Sequence, residues 1–594
     1  MKKKISILLA LIMIMMSMNL AACTQNRESV SGSESASAIT FKPGTYEGSG
    51  TGRNGDITVE VTVTEDSIES VVVKEHQETP GLSDPALTRL PEAIVEYQSL
   101  GVDAVSGATV TSEGLLDAVA AALEQAGADV SALRSVPVNK EVVAAEDLTT
   151  QVVVAGSGMS GMMAALTAAH EGADVILVEK LGVLGGSAGT AAGGLVTVDS
   201  ELIPAEMDDS VDRAIAYTRL MNETSELQPD YEFLAAILAQ TGDTIDYISE
   251  EFGITPEFED RGDYVRSRYA SGRELIDGLA SHLEKNGAVV MLNTSAEEIV
   301  MEGNEAVGLK VSGEGEEFTI YADKVIIATG GANWDTERML EANPELNTVA
   351  MRVMASAGNT GDGFRMLEEI GAKMGDGPRV KAAMVGFSSL RRFGSLTDLM
   401  IFDADGNRFC NEAPMFTTML NTFLQRQASP AYYALFSAEQ VDAEMLAALK
   451  EDAVGDDPQK TVYGETVEVL AEKLQIPAEQ LRATFDRYQE LCSNGVDADF
   501  GKDASHMIAY AEDGGFYAAN IQASTWGTYG GALTDEKFRV LGEDGNVIGN
   551  VFAVGECANS EFYGDYYYGA FSLGLYSTAG RIAAETAVAE INLR

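Results

Sequence analysis

Hydrophobic and polar residues alternate at period two over residues 57–63, which predicts a half-buried β-strand. Residues 67–73 are predicted to form a second strand, and Glu65-Asp66 between the two suits a hairpin turn. Apolar residues then recur at helical spacing, at Leu115, Leu116, Val119, Leu123 and Ala126. They predict an amphipathic helix over residues 112–126 and, with the strands, a small α+β domain over residues 41–127.

A second pattern begins with a short apolar strand over residues 151–155, which runs into Gly156, Gly158 and Gly161 and an alanine-rich helix. Another apolar strand over residues 174–178 ends at Glu179. Strand, GxGxxG, helix, strand and acid in this order form the dinucleotide-binding fingerprint. We expect Gly156 to make the turn, Gly158 to admit a pyrophosphate, Gly161 to let the helix pack, and Glu179 to hold a ribose hydroxyl.

The first residues follow a different pattern, in which Lys2, Lys3 and Lys4 precede an apolar run over residues 5–18 and the sequence Leu-Ala-Ala-Cys23. This stretch resembles a bacterial lipoprotein signal, which implies cleavage after residue 22 and acylation of Cys23. Residues 23–40 are rich in serine and are expected to form a tether. The expectation is a protein anchored by lipid to the outer face of the bacterial cytoplasmic membrane. An ordinary signal peptide with a chance cysteine is the alternative.

Composition and charge exclude several kinds of partner and site. The chain has 594 residues, of which 45% are hydrophobic, and a formal net charge of −52. A nucleic-acid partner is excluded because phosphate would be repelled. With only four cysteines and four histidines, we expect neither a disulfide framework nor a metal site.

The stretch from residue 46 to residue 126 contains the run Asp103-Ala-Val-Ser106-Gly-Ala-Thr109, preceded by Glu78-Thr-Pro-Gly. It resembles the FMN-binding domain of sodium-translocating and Rnf-type electron-transfer complexes. The resemblance implies FMN joined as a phosphoester to Thr109 by a dedicated flavin transferase, with Asp103 and Ser106 at the matching motif positions. The alternative is a Gly-Ala-Thr helix entry without cofactor.

Residues 150–590 resemble the fumarate reductase/succinate dehydrogenase flavoprotein family, including the flavocytochrome c-like enzymes. The matching segments are a glycine-rich loop over residues 184–194, the run over residues 325–331, Thr-Gly-Asp-Gly over residues 360–363, Gly-Asn-Arg-Phe-Cys-Asn-Glu over residues 406–412, and residues 553–556 and 580–583. The resemblance implies non-covalent FAD. Beyond the fingerprint, its contacts are expected at Gly185, Gly186, Ser187, Gly193, Gly194, Thr329, Gly330, Gly331, Gly361, Asp362, Glu556, Ala570, Ser572 and Leu573.

The same resemblance implies the fold class: a Rossmann-like α/β FAD-binding domain with an inserted α+β capping domain, preceded by the small α+β FMN-binding domain. The expected boundaries are 128–148 for the linker, 149–363 for the first FAD segment, 364–508 for the cap and 509–594 for the second FAD segment. Substrate is expected between cap and FAD.

The cations that bind a dicarboxylate in fumarate reductases are missing at their aligned positions. Phe416 falls on the proton-delivering arginine, Gly527 on a histidine and Tyr567 on a second arginine. Buried carboxylates need charged partners, so fumarate is disfavoured. Arg391 and Arg392 could compensate. The expected pocket is lined by Phe416, Trp526, Gly527, Tyr529 and Tyr568, with a packing role for these aromatic residues as the alternative.

The resulting hypothesis is a flavin reductase of a carbon–carbon double bond conjugated to a carbonyl. The proton is expected from Tyr566 or Tyr567, or from Arg391 or Arg392. Tyr566 is similar in place to the tyrosine that polarises the enone carbonyl in 3-ketosteroid dehydrogenases. Electrons are expected from a membrane donor, by a quinol or NADH dehydrogenase route, through FMN to FAD and an unsaturated small molecule. The alternatives are a fumarate- or urocanate-type reductase, a 3-ketosteroid reductase or dehydrogenase, and an electron-transfer flavoprotein without small-molecule turnover.

Overall fold

The computed structural model describes residues 40–78, 83–105, 108–136, 138, 146–223, 225–313, 316–344, 351–382, 386–387, 397–412 and 429–593. Several residues singled out from the sequence lie outside these ranges: Cys23, Ser106, Arg391, Arg392 and Phe416. Within these ranges, none of the helices combines the length and the apolar character that crossing a membrane requires.

The N-terminal unit is a three-stranded antiparallel sheet of β1 (Gly44–Thr51), β2 (Asp56–Val63) and β3 (Ile68–Glu75), with β2 in the centre. Helices α1 (Asp84–Tyr97), α2 (Thr109–Gln125) and α3 (Val130–Arg134) follow. The two predicted strands are confirmed as β2 and β3. Helix α2 begins three residues before its predicted start, and this adds Thr109 to the helix.

Helix α2 lies directly against β1 because β1 has glycines on the contact face. A Cβ on Gly48 would lie 2.1 Å from the carbonyl oxygen of Ala118, and a Cβ on Gly50 would lie 2.2 Å from that of Gly114. Such distances exclude any side chain, so the helix backbone packs on the strand backbone. On β2, Ile57, Val59 and Val61 lie opposite Gly50, Gly48 and Tyr46, so they share this face and are completely buried.

The largest sheet has eight strands: β4 (Leu148–Ala155), β5 (Val175–Glu179), β9 (Val289–Leu292), β10 (Thr294–Glu302), β11 (Glu305–Gly313), β12 (Glu316–Ile327), β20 (Arg539–Leu541) and β21 (Val547–Ala553). Their order in the sheet is β10-β11-β21-β12-β4-β5-β9, with β20 paired to β21. Strands β21, β12, β4, β5 and β9 are parallel neighbours. This parallel region, with helix α4 (Met159–His170) after β4, confirms the predicted Rossmann-like fold.

The last helix, α14 (Phe571–Asn592), crosses α4 at close range. A Cβ on Gly580 would lie 2.2 Å from the carbonyl oxygen of Ser160. The helices around this sheet are α5 (Val211–Met221), α6 (Tyr231–Leu238), α7 (Thr241–Phe252), α8 (Gly272–Leu283), α9 (Thr336–Ala342) and α10 (Asp362–Glu369). A small antiparallel sheet, β6 (Gly194–Val196), β8 (Val265–Arg268) and β7 (Glu257–Asp260), lies beside them.

A seven-stranded sheet forms the remaining part, built around the long strand β19 (Phe516–Tyr529). Its other strands are β13 (Met351–Val353), β14 (Arg379–Ala382), β15 (Gly386–Phe387), β16 (Met400–Asp403), β17 (Tyr432–Ser437) and β18 (Thr461–Gly464), with helices α11 (Ala443–Asp452), α12 (Val467–Leu474) and α13 (Ala478–Asn494). Strand β19 lies beyond residue 508, so this sheet draws strands from both sides of the expected cap boundary. The expected domain boundaries stay predictions.

Candidate cofactor and substrate sites

The predicted FMN attachment residue stands at a helix N-terminus. Thr109 is the first residue of α2 and is exposed, and Ala108 before it has no polar side chain to cap the helix. The first N–H groups of a helix lack partners within the helix and attract phosphate. Asp103 is also exposed. An exposed threonine hydroxyl at this position fits a phosphoester, and its modification stays a prediction.

A buried carboxylate holds this helix start against the sheet. Glu78 is 3% exposed and accepts a hydrogen bond from the Thr111 hydroxyl and another, of 2.7 Å, from the Asn54 backbone N–H. Burial by itself would raise the pKa of Glu78, but these hydrogen bonds hold the pKa below its usual range. The sequence placed Glu78 in a motif but gave it no partner, because Thr111 is 33 residues away.

The GxGxxG turn has the geometry that the fingerprint requires. Gly156 has a φ of 95°, which favours glycine. A Cβ on Gly158 would meet no atom within 4 Å, whereas a Cβ on Gly161 would lie 1.9 Å from the carbonyl oxygen of Gly156. The three predicted roles therefore match three different environments: a turn, open space next to the helix start, and a tight contact.

Glu179 lies at the end of β5, as predicted, and faces the GxGxxG turn. Its carboxylate accepts hydrogen bonds from the Ser157 N–H at 3.0 Å, the Ser157 hydroxyl at 2.6 Å and the Leu181 N–H at 2.9 Å. These contacts join the two strand ends of the fingerprint. The ribose contact predicted for Glu179 stays a prediction.

The glycine-rich loop lies across from this turn. Gly185, Gly186 and Gly193 have φ values of 114°, 48° and 81°, and the Gly185 N–H donates to the Ser157 hydroxyl at 3.0 Å. A Cβ on Gly186 would lie 3.5 Å from Gly158 Cα. Ser187 accepts a hydrogen bond from the Ser356 N–H at 3.0 Å, and Gly194 begins β6. Two backbone segments without side chains thus form a cradle.

The other predicted FAD residues gather after β12. Thr329 and Gly330 follow that strand, and a Cβ on Gly331 would lie 2.4 Å from Oε2 of Glu556. The Glu556 carboxylate accepts a hydrogen bond from the Asn359 side chain at 3.2 Å. These residues come from distant parts of the chain and lie close together in the structure. Their contact with FAD stays a prediction.

Gly361 and Asp362 form the start of α10. Gly361 has a φ of 79° at the N-cap, and Asp362 is the first helical residue. Asp362 forms an ion pair of 2.6 Å with Lys180, which follows Glu179. This contact links the Thr-Gly-Asp-Gly segment to the fingerprint. The sequence did not identify Lys180.

The N-terminus of α14 points into the same region. Ala570 has a φ of 69° and caps the helix, with Ser572 and Leu573 in its first turn. The Ala570 carbonyl accepts a hydrogen bond from the Val196 N–H at 3.0 Å, which ties this turn to β6. Ser572 is buried and is hydrogen-bonded to the Tyr563 hydroxyl at 2.8 Å. The helix start is therefore fixed beside the glycine-rich loop.

The tyrosines before this helix fall into two groups. Tyr529, Tyr563 and Tyr568 are completely buried and form a stack, with ring centroids 4.8 and 5.1 Å apart. Tyr529 and Tyr568 were expected to line the pocket, and the structure places them instead in the packed core behind it. Tyr566 and Tyr567 remain partly exposed.

Tyr567 and Trp526 contact each other, with ring centroids 5.4 Å apart in an edge-to-face arrangement. Burial raises the pKa of the Tyr567 phenol, and hydrogen bonds to Ser572 and the Ala570 backbone offset this only in part. The hydroxyl therefore stays protonated at neutral pH. Gly527, next to Trp526, has no free space: a Cβ there would lie 1.9 Å from Oε1 of Glu556.

An arginine that the sequence did not identify holds the tyrosine segment in place. Arg379 donates hydrogen bonds to the carbonyl oxygens of Gly564 at 2.6 Å and Tyr563 at 3.3 Å, and its guanidinium lies 5.4 Å from the Tyr529 ring centroid. Desolvation lowers the pKa of Arg379. These contacts could not be predicted from the sequence, because Arg379 lies about 185 residues before its partners in the chain.

The residues present fit both flavins. The open space over Gly158 and the facing Gly186 leave room for a pyrophosphate, and the starts of α4 and α14 supply N–H groups. Exposed Thr109 suits a covalent phosphate. Among the described residues, no three His, Cys, Asp or Glu side chains are grouped to hold a metal ion.

The chain matches two protein families. Residues 151–573 match the family described as FAD binding domain, and residues 52–124 match the family described as FMN-binding domain. The first match covers the largest sheet from within β4 onward, the seven-stranded sheet and the start of α14. The second covers β2, β3, α1 and nearly all of α2.

Two relatives resemble nearly the whole chain. The NADH:acrylate oxidoreductase of Vibrio harveyi is 27% identical over 92% of this chain, and the match spans 61% of that protein's length. The urocanate reductase of Eggerthella lenta is 29% identical over 94% of this chain and 95% of its own length. The resemblance to both includes the N-terminal unit as well as the FAD-binding part.

Among solved structures, the open conformation of a flavocytochrome c3 fumarate reductase is similar with a TM-score of 0.64 and 26% identity, over 74% of this chain and 78% of that one. The 3-ketosteroid delta1-dehydrogenase of Sterolibacterium denitrificans has a TM-score of 0.62 at 19% identity, over 74% of this chain and all of its own. The second likeness concerns the fold alone.

Proposed function

Because the chain belongs to the FAD binding domain family and is an FAD-dependent oxidoreductase, we propose that it reduces a carbon–carbon double bond conjugated to a carbonyl group. The observation that carries the proposal is the joint presence of the FMN-binding and FAD-binding units in one chain. Relatives with acrylate and urocanate in their names resemble it over more than nine-tenths of its length. Both of those names denote enoates.

In this proposal FMN is carried as a phosphoester on Thr109, installed by a flavin transferase. FAD is held without a covalent bond by the cradle of Gly158 and Gly186 and by the start of α14. FAD, when bound and reduced, would supply the hydride that the β-carbon of the substrate accepts. Electrons arrive from a membrane donor by way of FMN. Cys23 carries the lipid that keeps the protein on the outer face of the cytoplasmic membrane.

The chain's own residues hold the substrate and deliver the proton. A substrate in the cleft would lie against Trp526 and the Tyr566-Tyr567 pair. A phenol that stays protonated can donate a hydrogen bond to the carbonyl oxygen and a proton to the α-carbon. Tyr567 has the hydrogen bonds that fix its hydroxyl, so we assign it the leading role. Arg391 and Arg392 are the alternative donors.

The cleft favours substrates with at most one carboxylate. Glu556 occupies the space beside Gly527 with its own carboxylate, at the position where the sequence comparison places a substrate-binding histidine. A second substrate carboxylate there would be repelled and would lose its hydration without a charged partner. We therefore propose an enone or a mono-carboxylate enoate as substrate.

The test uses the flavin-loaded protein, reduced anaerobically, and a panel of acrylate, urocanate, fumarate, cinnamate and cyclohexenone. We expect the absorbance of oxidised flavin to return fastest with one mono-carboxylate or enone, and fumarate to be slow. Tyr566→Phe with Tyr567→Phe should lower that rate at least a hundredfold while FAD content is unchanged, because general acids contribute about 10²–10⁴-fold. If no compound reoxidises the flavin, the protein is an electron carrier instead.

A further inference from the structure

Gly182 is a loop residue that is buried, although it lies at the edge of the FAD-binding unit. It is the second residue after Lys180 and leads into the glycine-rich loop that begins at Leu184. A Cβ placed on Gly182 would lie 3.1 Å from Cγ1 of Val105 and 3.4 Å from Nη1 of Arg89. Both neighbours belong to the N-terminal unit.

The two contact residues come from separate parts of that unit. Arg89 is an exposed residue of α1, and Val105 lies in the segment that leads to Thr109. Two separate segments of the N-terminal unit therefore meet the same loop residue. On the other side of Gly182, Oδ1 of Asn293 would lie 3.2 Å from the same Cβ. A Cβ at this position would therefore fit between the two units only in tight contact with side chains of both.

We propose that Arg89 and Val105 on one side and Gly182 on the other form the docking contact of the two flavin-binding units. The inference rests on the proposed function for one point only, which is that this contact serves electron transfer from FMN to FAD. Thr109 is four residues from Val105, so its Cα lies within about 14 Å of Val105 Cα. The contact thereby sets the distance between the attachment residue and the glycine-rich loop.

A small contact suffices because the units are tethered. The chain between α3 and β4 comprises residues 135–147 and spans at most about 45 Å. A short tether gives an effective concentration in the millimolar range, so a weak surface is largely occupied. Redox partners commonly meet through small interfaces of this kind, which also separate easily. The unit can leave the contact to collect electrons and return to it.

A disulfide between the two sides tests the contact directly. Val105→Cys with Gly182→Cys places the two Cβ atoms at most about 4.6 Å apart, close to the range of about 3.5–4.5 Å that disulfides adopt. Diamide takes up the two thiol hydrogens and two electrons, and one sulfur–sulfur bond forms. We expect a peptide joining the two segments in mass spectra of most molecules, and its loss after reduction by dithiothreitol.

The matched control is Val72→Cys with Gly182→Cys. Val72 lies on β3 and is 47% exposed, and none of its atoms is among the three nearest to a Cβ placed on Gly182. We expect at least a tenfold lower yield of cross-link from this pair under the same conditions. Equal yields from both pairs, or no cross-link from Val105→Cys with Gly182→Cys, would overturn the docking contact. Neither result depends on a substrate, so the docking contact can be confirmed or overturned whether or not the protein has the proposed reductase activity.

The redox purpose has its own measurement on the same protein. The reduced, cross-linked protein is mixed with an acceptor that reoxidises its flavin, and the number of flavins reoxidised is compared before and after dithiothreitol is added and removed. We expect both flavins to be reoxidised in the cross-linked state, at rates within about twofold of the open state. A cross-linked protein in which only one flavin is reoxidised would show that this contact is not the electron-transfer arrangement.

Discussion

Gly527 has no room for the histidine that the family comparison would place there. A Cβ at this position would lie 1.9 Å from Oε1 of Glu556, and Gly527 itself is buried in β19. The glycine therefore does more than remove a substrate ligand, because the Glu556 carboxylate occupies the volume that a side chain at position 527 would fill. Restoring the histidine has to displace Glu556, which is one of the predicted FAD contacts.

We expect Gly527→His to lower FAD content severalfold and to destabilise the protein by about 1–3 kcal/mol through overpacking, without raising turnover of fumarate. Flavin absorbance per protein and thermal unfolding measure both effects. In the double variant with Glu556→Ala, the additional space should recover part of the lost stability, and a double-mutant cycle gives the coupling. A Gly527→His protein with full FAD content and faster fumarate reduction would contradict the clash.

At the scale of single residues, the sequence predicted what depends on local spacing. Gly156, Gly158 and Gly161 have the environments expected of them because a turn and a helix start are set within a few residues. Glu78 and Arg379 were not assigned contacts, since their partners lie 33 and about 185 residues away. Tyr529 and Tyr568 were placed in the pocket because a tyrosine-rich run does not reveal which rings stack in the core.

At the scale of elements, a network of buried charges holds the seven-stranded sheet and its helices together. Arg408 forms hydrogen bonds to Glu412 at 2.8 and 2.7 Å and to Asp497 at 2.7 Å, and Lys502 lies 3.4 Å from Glu412. The side chains of Glu412, Asp497 and Lys502 are fully buried. Two cations and two anions balance, and they join the segment that follows β16 to the loop that follows α13.

Removing one cation from this network leaves an uncompensated buried charge. We expect Arg408→Met to cost about 3–5 kcal/mol and to lower the unfolding temperature by several degrees. Burial alone would raise the pKa of Asp497, but hydrogen bonds from Arg408 and the Lys502 N–H hold that pKa well below its usual range. The stabilisation is therefore complete above about pH 4 and is lost as the pH falls through the lowered pKa.

The matched comparison is the double change Arg408→Met with Asp497→Asn, which removes one anion together with the cation and keeps Lys502 beside Glu412. If the loss came from packing against Tyr488 alone, the double variant would unfold at the same temperature as Arg408→Met or lower. A charge effect predicts partial recovery, visible in calorimetry at pH 7. Beyond the run that contains Arg408 and Glu412, this network could not be predicted from the sequence, because Asp497 and Lys502 follow about 90 residues later.

The sheets show the same limit on prediction. The strand–turn–helix start at residue 151 predicted the parallel arrangement of the largest sheet, since parallel strands need helical crossovers. Strand β19 pairs with segments from residue 351 to residue 464, and alternation along a strand does not name its partners. The order of strands in the seven-stranded sheet therefore emerges only from the folded chain.

At the scale of the whole molecule, a net charge of −52 surrounds a cleft proposed to take a mono-anion or a neutral molecule. At an ionic strength of 0.01 M the Debye length is about 30 Å, so the negative surface charge repels anions that approach the cleft. At 0.15 M the Debye length is about 8 Å, and this repulsion is much weaker. We expect kcat/KM for acrylate to rise severalfold with sodium chloride over this interval. The value for uncharged cyclohexenone should stay within about twofold.

A measurement that needs no substrate separates this field from specific binding. Iodide and acrylamide both quench flavin fluorescence, but only iodide is charged. We expect the iodide quenching constant to rise toward that of acrylamide as inert salt is added, and the acrylamide constant to stay level. If iodide quenches more strongly than acrylamide at low salt, a local cluster of cations dominates the cleft. Arg391 and Arg392 would then be the first residues to replace, since a cation there would outweigh the surface charge at short range.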